Sequence, residues 1–288
     1  MNTVQEFEAY RPLLLSIAYR MLGSAMEAED MVQETFLRYQ ATSGESIRSP
    51  QAFLSTIITR LCLNQLESAR VKREAYIGPW LPEPILTGDD EQLSPSAQAS
   101  LHESISIAFL VLLESLTPLE RAVFLLREVF DYEYAEIAEI VDKDEVACRQ
   151  LFSRAKKHIA EHRPRFKPTR EQHKQVLDRF LQAVSAGEIE GLMQLLTADV
   201  MMWADGGGKA RGAATRPLHG REAVAQFLLA SAQLPTERYR AEVTELNGEP
   251  SVILRIGDKA ILAAFITIED DQIREVRVIG NPDKLQRI

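Results

Sequence analysis

Cysteine is nearly absent: Cys62 and Cys148 are the only two among 288 residues. Two isolated cysteines exclude a CxxC-type zinc site and a disulfide scaffold. Both fall in helix-patterned stretches, as buried free thiols in a reducing compartment would. Long apolar runs are also missing, and none approaches the ~20 residues that span a bilayer. The nearest, Leu13 to Tyr19, is broken by Ser16, followed at once by Arg20 and preceded by no basic segment, so it is no signal peptide. Positive charge is in deficit, with 33 Lys and Arg against 42 Asp and Glu for a net −9. That excludes a histone-like protein but not a local basic patch, because binding depends on where the charge sits. Disorder is excluded by 45% hydrophobic residues. No repeat of fixed period is present. A soluble, cytoplasmic, non-membrane protein with no metal site and no cofactor is expected.

Two linkers divide three patterned blocks. Residues 1–73 read as all helix: Ser24 with Glu27 is a capping box, and Ala28, Met31, Val32 and Phe36 follow at helical spacing. The opposite face of that helix carries Asp30, Gln33 and Glu34. Ser49-Pro50 opens another helix, proline standing where its missing N–H costs nothing; it ends on Arg70, Lys72 and Arg73. Residues 74–99 hold four prolines and the apolar Tyr76, Ile77, Trp80, Leu81, Ile85 and Leu86, a linker that should dock on something. Residues 100–165 are helical again, with Thr117-Pro118-Leu119-Glu120 as a strong helix start. Residues 170–288 change class. Two helices (171–186, 188–196), a glycine loop at Asp205–Gly208 and a third helix (221–230) precede strands at 239–246, 251–256, 260–268 and 273–279. Turn dipeptides separate the strands. This predicts an α+β domain with helices on one antiparallel sheet.

The sharpest chemistry lies near residue 150. At about 100° per residue, Cys148, Leu151, Phe152, Ala155 and Ile159 form one apolar stripe. Arg149, Gln150, Ser153, Arg154 and Lys157 lie opposite, with Lys156 beside them. A short helix (134–141), a polar break (Asp142-Lys143-Asp144) and this longer helix make a helix-turn-helix. The outward side chains are of the types that bond base edges and phosphates in a major groove. From Arg149 to Lys167 seven bases face one acid, Glu161. The turn holds no glycine, and two acids sit beside the groove.

These motifs resemble those of a bacterial RNA polymerase sigma factor of the extracytoplasmic-function (ECF) type. The residues that carry the resemblance are Ala28–Phe36, Thr117–Arg121, Tyr134–Ala138 and Cys148–Ala155, within about residues 5–162. Trp80-Leu81-Pro82-Glu83-Pro84 and Asp205-Gly206-Gly207-Gly208-Lys209 are similar to marks of the subgroup with a fused SnoaL-like C-terminal domain. The resemblance implies two all-α sigma domains plus an α+β cone-shaped barrel, and promoter-specific transcription initiation rather than catalysis. It makes Asp30, Gln33, Glu34 and Phe36 a dock for the polymerase β′ clamp helices, with the β flap a further contact. Arg60, Asn64, Arg70, Lys72 and Arg73 fall to the −10 element, with the loop Ala41–Arg48 as a pocket wall. The helix-turn-helix (Arg149, Gln150, Ser153, Arg154, Lys156, Lys157) falls to the −35 element. The C-terminal domain would regulate in cis, with no separate anti-sigma factor required.

Two rival readings are a helix-turn-helix repressor sensing a ligand and an enzyme tethered to DNA. Trp203, Asp205 and His219 could line a mouth open to a small molecule, although Asp205 more simply starts a turn. Gly206–Lys209 is no phosphate loop, since Trp203 and Ala210 stand where Gly and Ser or Thr are required. The linker Trp80–Pro84 is expected to lie against the Asp205–Lys209 loop, where bare glycine lets another chain approach. Asn281–Leu285 reads as a turn and a tail that can pack back on the body, and trimming after Gly280 is expected to spare the linker–loop contact.

Overall fold

The computed structural model describes residues 3–42, 47, 49–88, 104–162, 168–232 and 239–288, with backbone alone over 69–74. Two compact units are present: 1–74 with 109–163, and 75–108 with 164–288. In the first, α1 (Thr3–Leu22), α2 (Ala25–Ala41) and α3 (Pro50–Glu74) pack around Leu14, Ile17, Met21, Val32, Leu54 and Ile58. Each such fully buried aliphatic side chain contributes roughly 1.5–3 kcal/mol. Ser24 caps α2 by accepting the Glu27 N–H at 3.2 Å.

The same unit holds α4 (Ile107–Glu114) from Phe109 onward, α5 (Pro118–Glu128), α6 (Tyr134–Val141) and α7 (Glu145–His162). Thr117 and Glu120 form a reciprocal capping box at the start of α5. Polar bonds tie the two helical groups together. Arg121, 3% exposed, donates to the Met21 carbonyl at 2.7 Å, an orphan acceptor at the end of α1, and pairs with Glu114 at 2.6 Å. Burial lowers the pKa of this guanidinium to about 10. Ser55 and the Tyr132 hydroxyl share a buried bond of 2.7 Å.

The second unit packs α8 (Arg170–Ala186), α9 (Ile189–Leu195) and α10 (Arg221–Ala232) on a six-stranded sheet. Its strands are β1 (Leu196–Asp205), β2 (Leu218–His219), β3 (Arg240–Leu246), β4 (Glu249–Ile256), β5 (Lys259–Glu269) and β6 (Gln272–Ile279), in the order β2-β1-β6-β5-β4-β3. This is the α+β architecture expected, with one correction. The sheet is mixed, because β1 runs parallel to β6. The β3–β6 meander turns on Asn247-Gly248, Gly257-Asp258 and Asp270-Asp271, where at least one residue of each pair has positive φ. Val176, Leu177, Phe180, Met202, Val224, Ile266 and Val276 fill the layer between helices and sheet.

Candidate nucleic-acid interface and linker clamp

The helix-turn-helix is built from α6 and α7. Asp142 takes the left-handed position that ends α6 (φ 56°, ψ 54°). Glycine usually stands there, and aspartate is one of the few other residues to visit it. Asp144 caps α7 through the Ala147 N–H at 2.7 Å. The two acids beside the groove are thus the devices that make the turn. On α7, Cys148, Leu151, Ala155 and Ile159 are buried, and Phe152 stacks on Phe124 with ring centroids 6.0 Å apart. Arg149, Gln150, Ser153, Arg154, Lys156 and Lys157 are all exposed. Four of these are already paired with acids: Arg149 with Glu145 (2.8 Å), Arg154 with Glu120 (3.1 Å), Lys156 with Glu128 (3.2 Å) and Lys157 with Glu161 (3.9 Å). Such surface pairs are worth about 0–1 kcal/mol, so phosphates can displace them. Burial raises the Glu120 pKa, but bonds from Thr117 and Arg154 outweigh it and the net shift is downward.

On α2, Asp30 and Gln33 are exposed and Glu34 is half-buried, bonded to Arg38 at 2.8 Å. Phe36 packs inward on Phe7 at 4.9 Å. Asn64 is exposed on α3. Arg60 donates to the carbonyls of Ile140 (3.0 Å) and Glu139 (2.9 Å), acceptors left open at the end of α6. The arginine expected from the resemblance at the −10 element therefore bonds the helix-turn-helix in this structure. The side chains of Arg70, Lys72 and Arg73 lie outside the described residues, as do residues 43–46 and 48 of the Ala41–Arg48 loop.

A second cluster forms at the end of β1. Asp205 has no solvent exposure and accepts three donors: the Tyr76 hydroxyl (2.5 Å), the Leu81 N–H (2.8 Å) and the Lys284 ammonium (2.7 Å). Burial, reinforced by the bond to Asp205, pushes the Tyr76 pKa up. Lys284 also donates to the Leu81 carbonyl and lies 4.1 Å from the centre of the Trp80 ring, a cation–π contact. Asn281 donates to the Tyr76 hydroxyl at 2.8 Å. Leu81, Pro82, Glu83 and Pro84 are buried, and Glu83 lies 3.8 Å from Arg287. Lys209 pairs with Asp283. The glycines are required by crowding: a Cβ on Gly207 (φ 55°) would sit 2.4 Å from Asn281 and 2.9 Å from Tyr76, and one on Gly208 (φ 71°) 2.9 Å from Ile77. On Gly206 it would meet the Ala213 Cβ at 2.6 Å.

The structure thus brings linker and loop together, and it corrects the expectation for the tail. Asn281, Asp283, Lys284 and Arg287 are members of the cluster, so a cut after Gly280 removes four of its bonding partners. Asp205 does not line an open mouth. His219 is exposed on β2, and Trp203 lies under Arg277 at 5.1 Å.

Residues 7–71 match the family described as Sigma-70 region 2, and residues 106–159 match Sigma-70, region 4. The chain is 36% identical to the ECF RNA polymerase sigma factor SigJ of Mycobacterium tuberculosis over 98% of its own length and 92% of that protein. It is 30% identical to the probable ECF RNA polymerase sigma factor SigI of the same organism, over 97% and 93%. The crystal structure of the M. tuberculosis SigJ superposes with a TM-score of 0.75 at 35% identity, covering 98% of this chain and 97% of that one. This chain is an ECF sigma factor. ECF sigma factors are transcription initiation factors and not enzymes. In this ECF sigma factor, α1–α3 form region 2, α4–α7 form region 4, and the C-terminal domain is SnoaL-like. Among the described residues no helix is long and apolar enough to cross a membrane.

Sequence reasoning missed Asn281, Lys284, Asp283 and Arg287 as parts of the linker clamp. The only signal was the compact Asn-Pro-Asp-Lys turn, whose partners lie more than seventy residues away.

Proposed function

We propose that region 2 docks on core RNA polymerase through the outer face of α2, while α3 and its basic end take the −10 element. Region 4 reads the −35 element with α7. The β′ clamp helices are the partner assigned to Asp30, Gln33 and Glu34, with Phe36 turned inward on Phe7 to hold that face rather than to form it, and the β flap is the one assigned to region 4. The observation that carries the reading is the outward polar stripe of α7, held on a rigid capped scaffold in a chain whose net charge is negative.

The two promoter elements lie about 25 base pairs apart by their nominal positions, about 85 Å at 3.4 Å per base pair. A compact unit of ~130 residues has a radius of gyration near 14 Å. Regions 2 and 4, bonded through Arg121, Ser55 and Arg60, must therefore part to engage both elements. The chain that joins them is the linker bonded to the C-terminal domain at Tyr76, Leu81, Ile85 and Ile105. By holding that chain, the C-terminal domain sets how far the two readers can separate. This is regulation in cis, and it needs no separate anti-sigma factor. The enzyme reading loses Asp205 as an acid–base group, because its carboxylate is sealed by three donors from its own chain.

Run-off transcription with core polymerase, with and without this protein, tests the reading. Promoter-specific transcripts that depend on the protein are expected. Core that stays non-specific in its presence would refute the assignment and favour a repressor.

A further inference from the structure

The outward face of α7 is not uniform. At about 100° per residue, Val146, Gln150, Ser153 and Lys157 fall within about 60° of one another, with Arg149 and Arg154 on opposite flanks. Both flanking arginines are drawn aside by weak surface contacts that a phosphate can displace. Arg149 bonds Glu145 at 2.8 Å and lies over the Tyr134 ring at 4.9 Å, while Arg154 bonds Glu120 of α5 at 3.1 Å. Their guanidinium groups are thereby oriented away from the centre line, toward the two sides where phosphate strands border a groove.

The centre of the stripe differs. Gln150 and Ser153 are exposed, and their side chains make no hydrogen bond among the described residues. Val146, the second residue of α7, is 63% exposed. A stiff β-branched side chain facing water gains nothing there until something apolar covers it. The N-terminal residues of a recognition helix are the ones that reach base edges. The apolar feature a base pair presents in the major groove is the thymine C5-methyl, and the partner of a primary amide is adenine N6 and N7.

We propose that Val146 and Gln150 are the base readers of this helix. Val146 covers a thymine methyl, Gln150 bonds an adenine, and Arg149 and Arg154 clamp flanking phosphates. The two readers are separated by about 6 Å along the helix axis, so the thymine and the adenine lie within about two base pairs of each other. The proposal rests on the assignment of α7 to the −35 element.

The test uses full-length holoenzyme on a promoter selected by run-off from a randomised library. Each −35 thymine is replaced singly by uracil, which lacks the methyl, and each adenine by 7-deazaadenine, which lacks N7. Open-complex formation is measured for the parent, Val146→Ala and Gln150→Ala. One covered methyl is worth about 0.8 kcal/mol, so the parent should lose about fourfold at one thymine. Val146→Ala should be weaker with thymine there and indifferent to uracil. Gln150→Ala should be indifferent to 7-deazaadenine at an adenine within two base pairs. Both side chains are exposed, so unchanged thermal melting separates these effects from misfolding. A parent insensitive to uracil throughout the element, or a Val146→Ala variant keeping the full uracil penalty, overturns the proposal. If scrambling the whole −35 element leaves the parent rate unchanged, the underlying assignment of α7 falls as well.

Discussion

Asp205→Ala should release the linker. The substitution strips the acceptor from three donors at 2.5–2.8 Å in a site without solvent exposure, and leaves Lys284, only 11% exposed at its side chain, beside an apolar gap. Removing one partner of a buried ion pair typically costs 3–5 kcal/mol, and here the Tyr76 hydroxyl and the Leu81 N–H also lose charge-assisted bonds to the same carboxylate. Lys284 can recover part of this by swinging into water, so a net loss of about 3 kcal/mol falls on the linker contact. That is a change of roughly a hundredfold in the opening equilibrium. Amide hydrogen exchange reads it directly, because the Leu81 N–H donates to the lost carboxylate. The Ile85 N–H, bonded to the Asn247 side chain at 3.0 Å, serves as the neighbouring control and should change less. Lys284→Met should mimic the effect more weakly and add little in the Asp205→Ala background, a coupling of about 1–3 kcal/mol. Truncation after Gly280 should resemble Asp205→Ala rather than the parent. Unchanged Leu81 exchange in Asp205→Ala, or strictly additive effects in the double variant, would refute the clamp.

Two further outcomes are expected. His173 is buried with an Nε2 that has no partner among the described residues, and desolvation lowers its pKa to about 4 from the usual 6.5. The unfolded chain therefore binds the extra proton first, and stability falls as pH drops from about 6.5 to 4, by roughly 3 kcal/mol in full; chemical denaturation of the parent and His173→Phe across that window should show the loss only in the parent. The double charge reversal Asp30→Lys/Glu34→Lys should lose co-purification with core polymerase while shifting melting little, since it also replaces the exposed Glu34–Arg38 pair by a like-charge pair worth a few tenths of a kcal/mol. Undiminished co-purification would move the dock elsewhere.

The helix-turn-helix was legible in the sequence because its determinants are local. The capping residues, the left-handed Asp142 and the 3.6-residue stripe all lie within one another's first neighbours along the chain. The meander was legible for the same reason, each hairpin being signed by a two-residue turn. β1 was not. Its first residue pairs with Ile273 and its last with Ile279, and a parallel partner that distant leaves no mark on the turns around it. The clamp was half legible: three glycines beside an aspartate announced a close approach. The charge that completes it, Lys284, is an ordinary polar tail residue until folding delivers it to Asp205.

Asn247 has a consequence for how this chain can change in length. Its N–H donates to the Ile85 carbonyl at 3.0 Å, its side-chain oxygen accepts the Ile85 N–H at 3.0 Å, and its amide donates to the Ile105 carbonyl at 2.8 Å. A single side chain, fully buried and held at φ 52° in a hairpin turn, thus fastens both ends of the segment between residues 86 and 104. What happens to the number of residues inside a closed ring does not propagate outside it. Doubling the length of such a ring costs only about 0.6 kcal/mol of closure entropy. An inserted epitope, a protease site or a whole folded module could be carried there without displacing either promoter reader from its neighbours. Beyond Thr87, which is itself bonded to Glu245 and Gly248, the segment should accordingly accept insertions and deletions, while substitutions at Asn247 should be poorly tolerated.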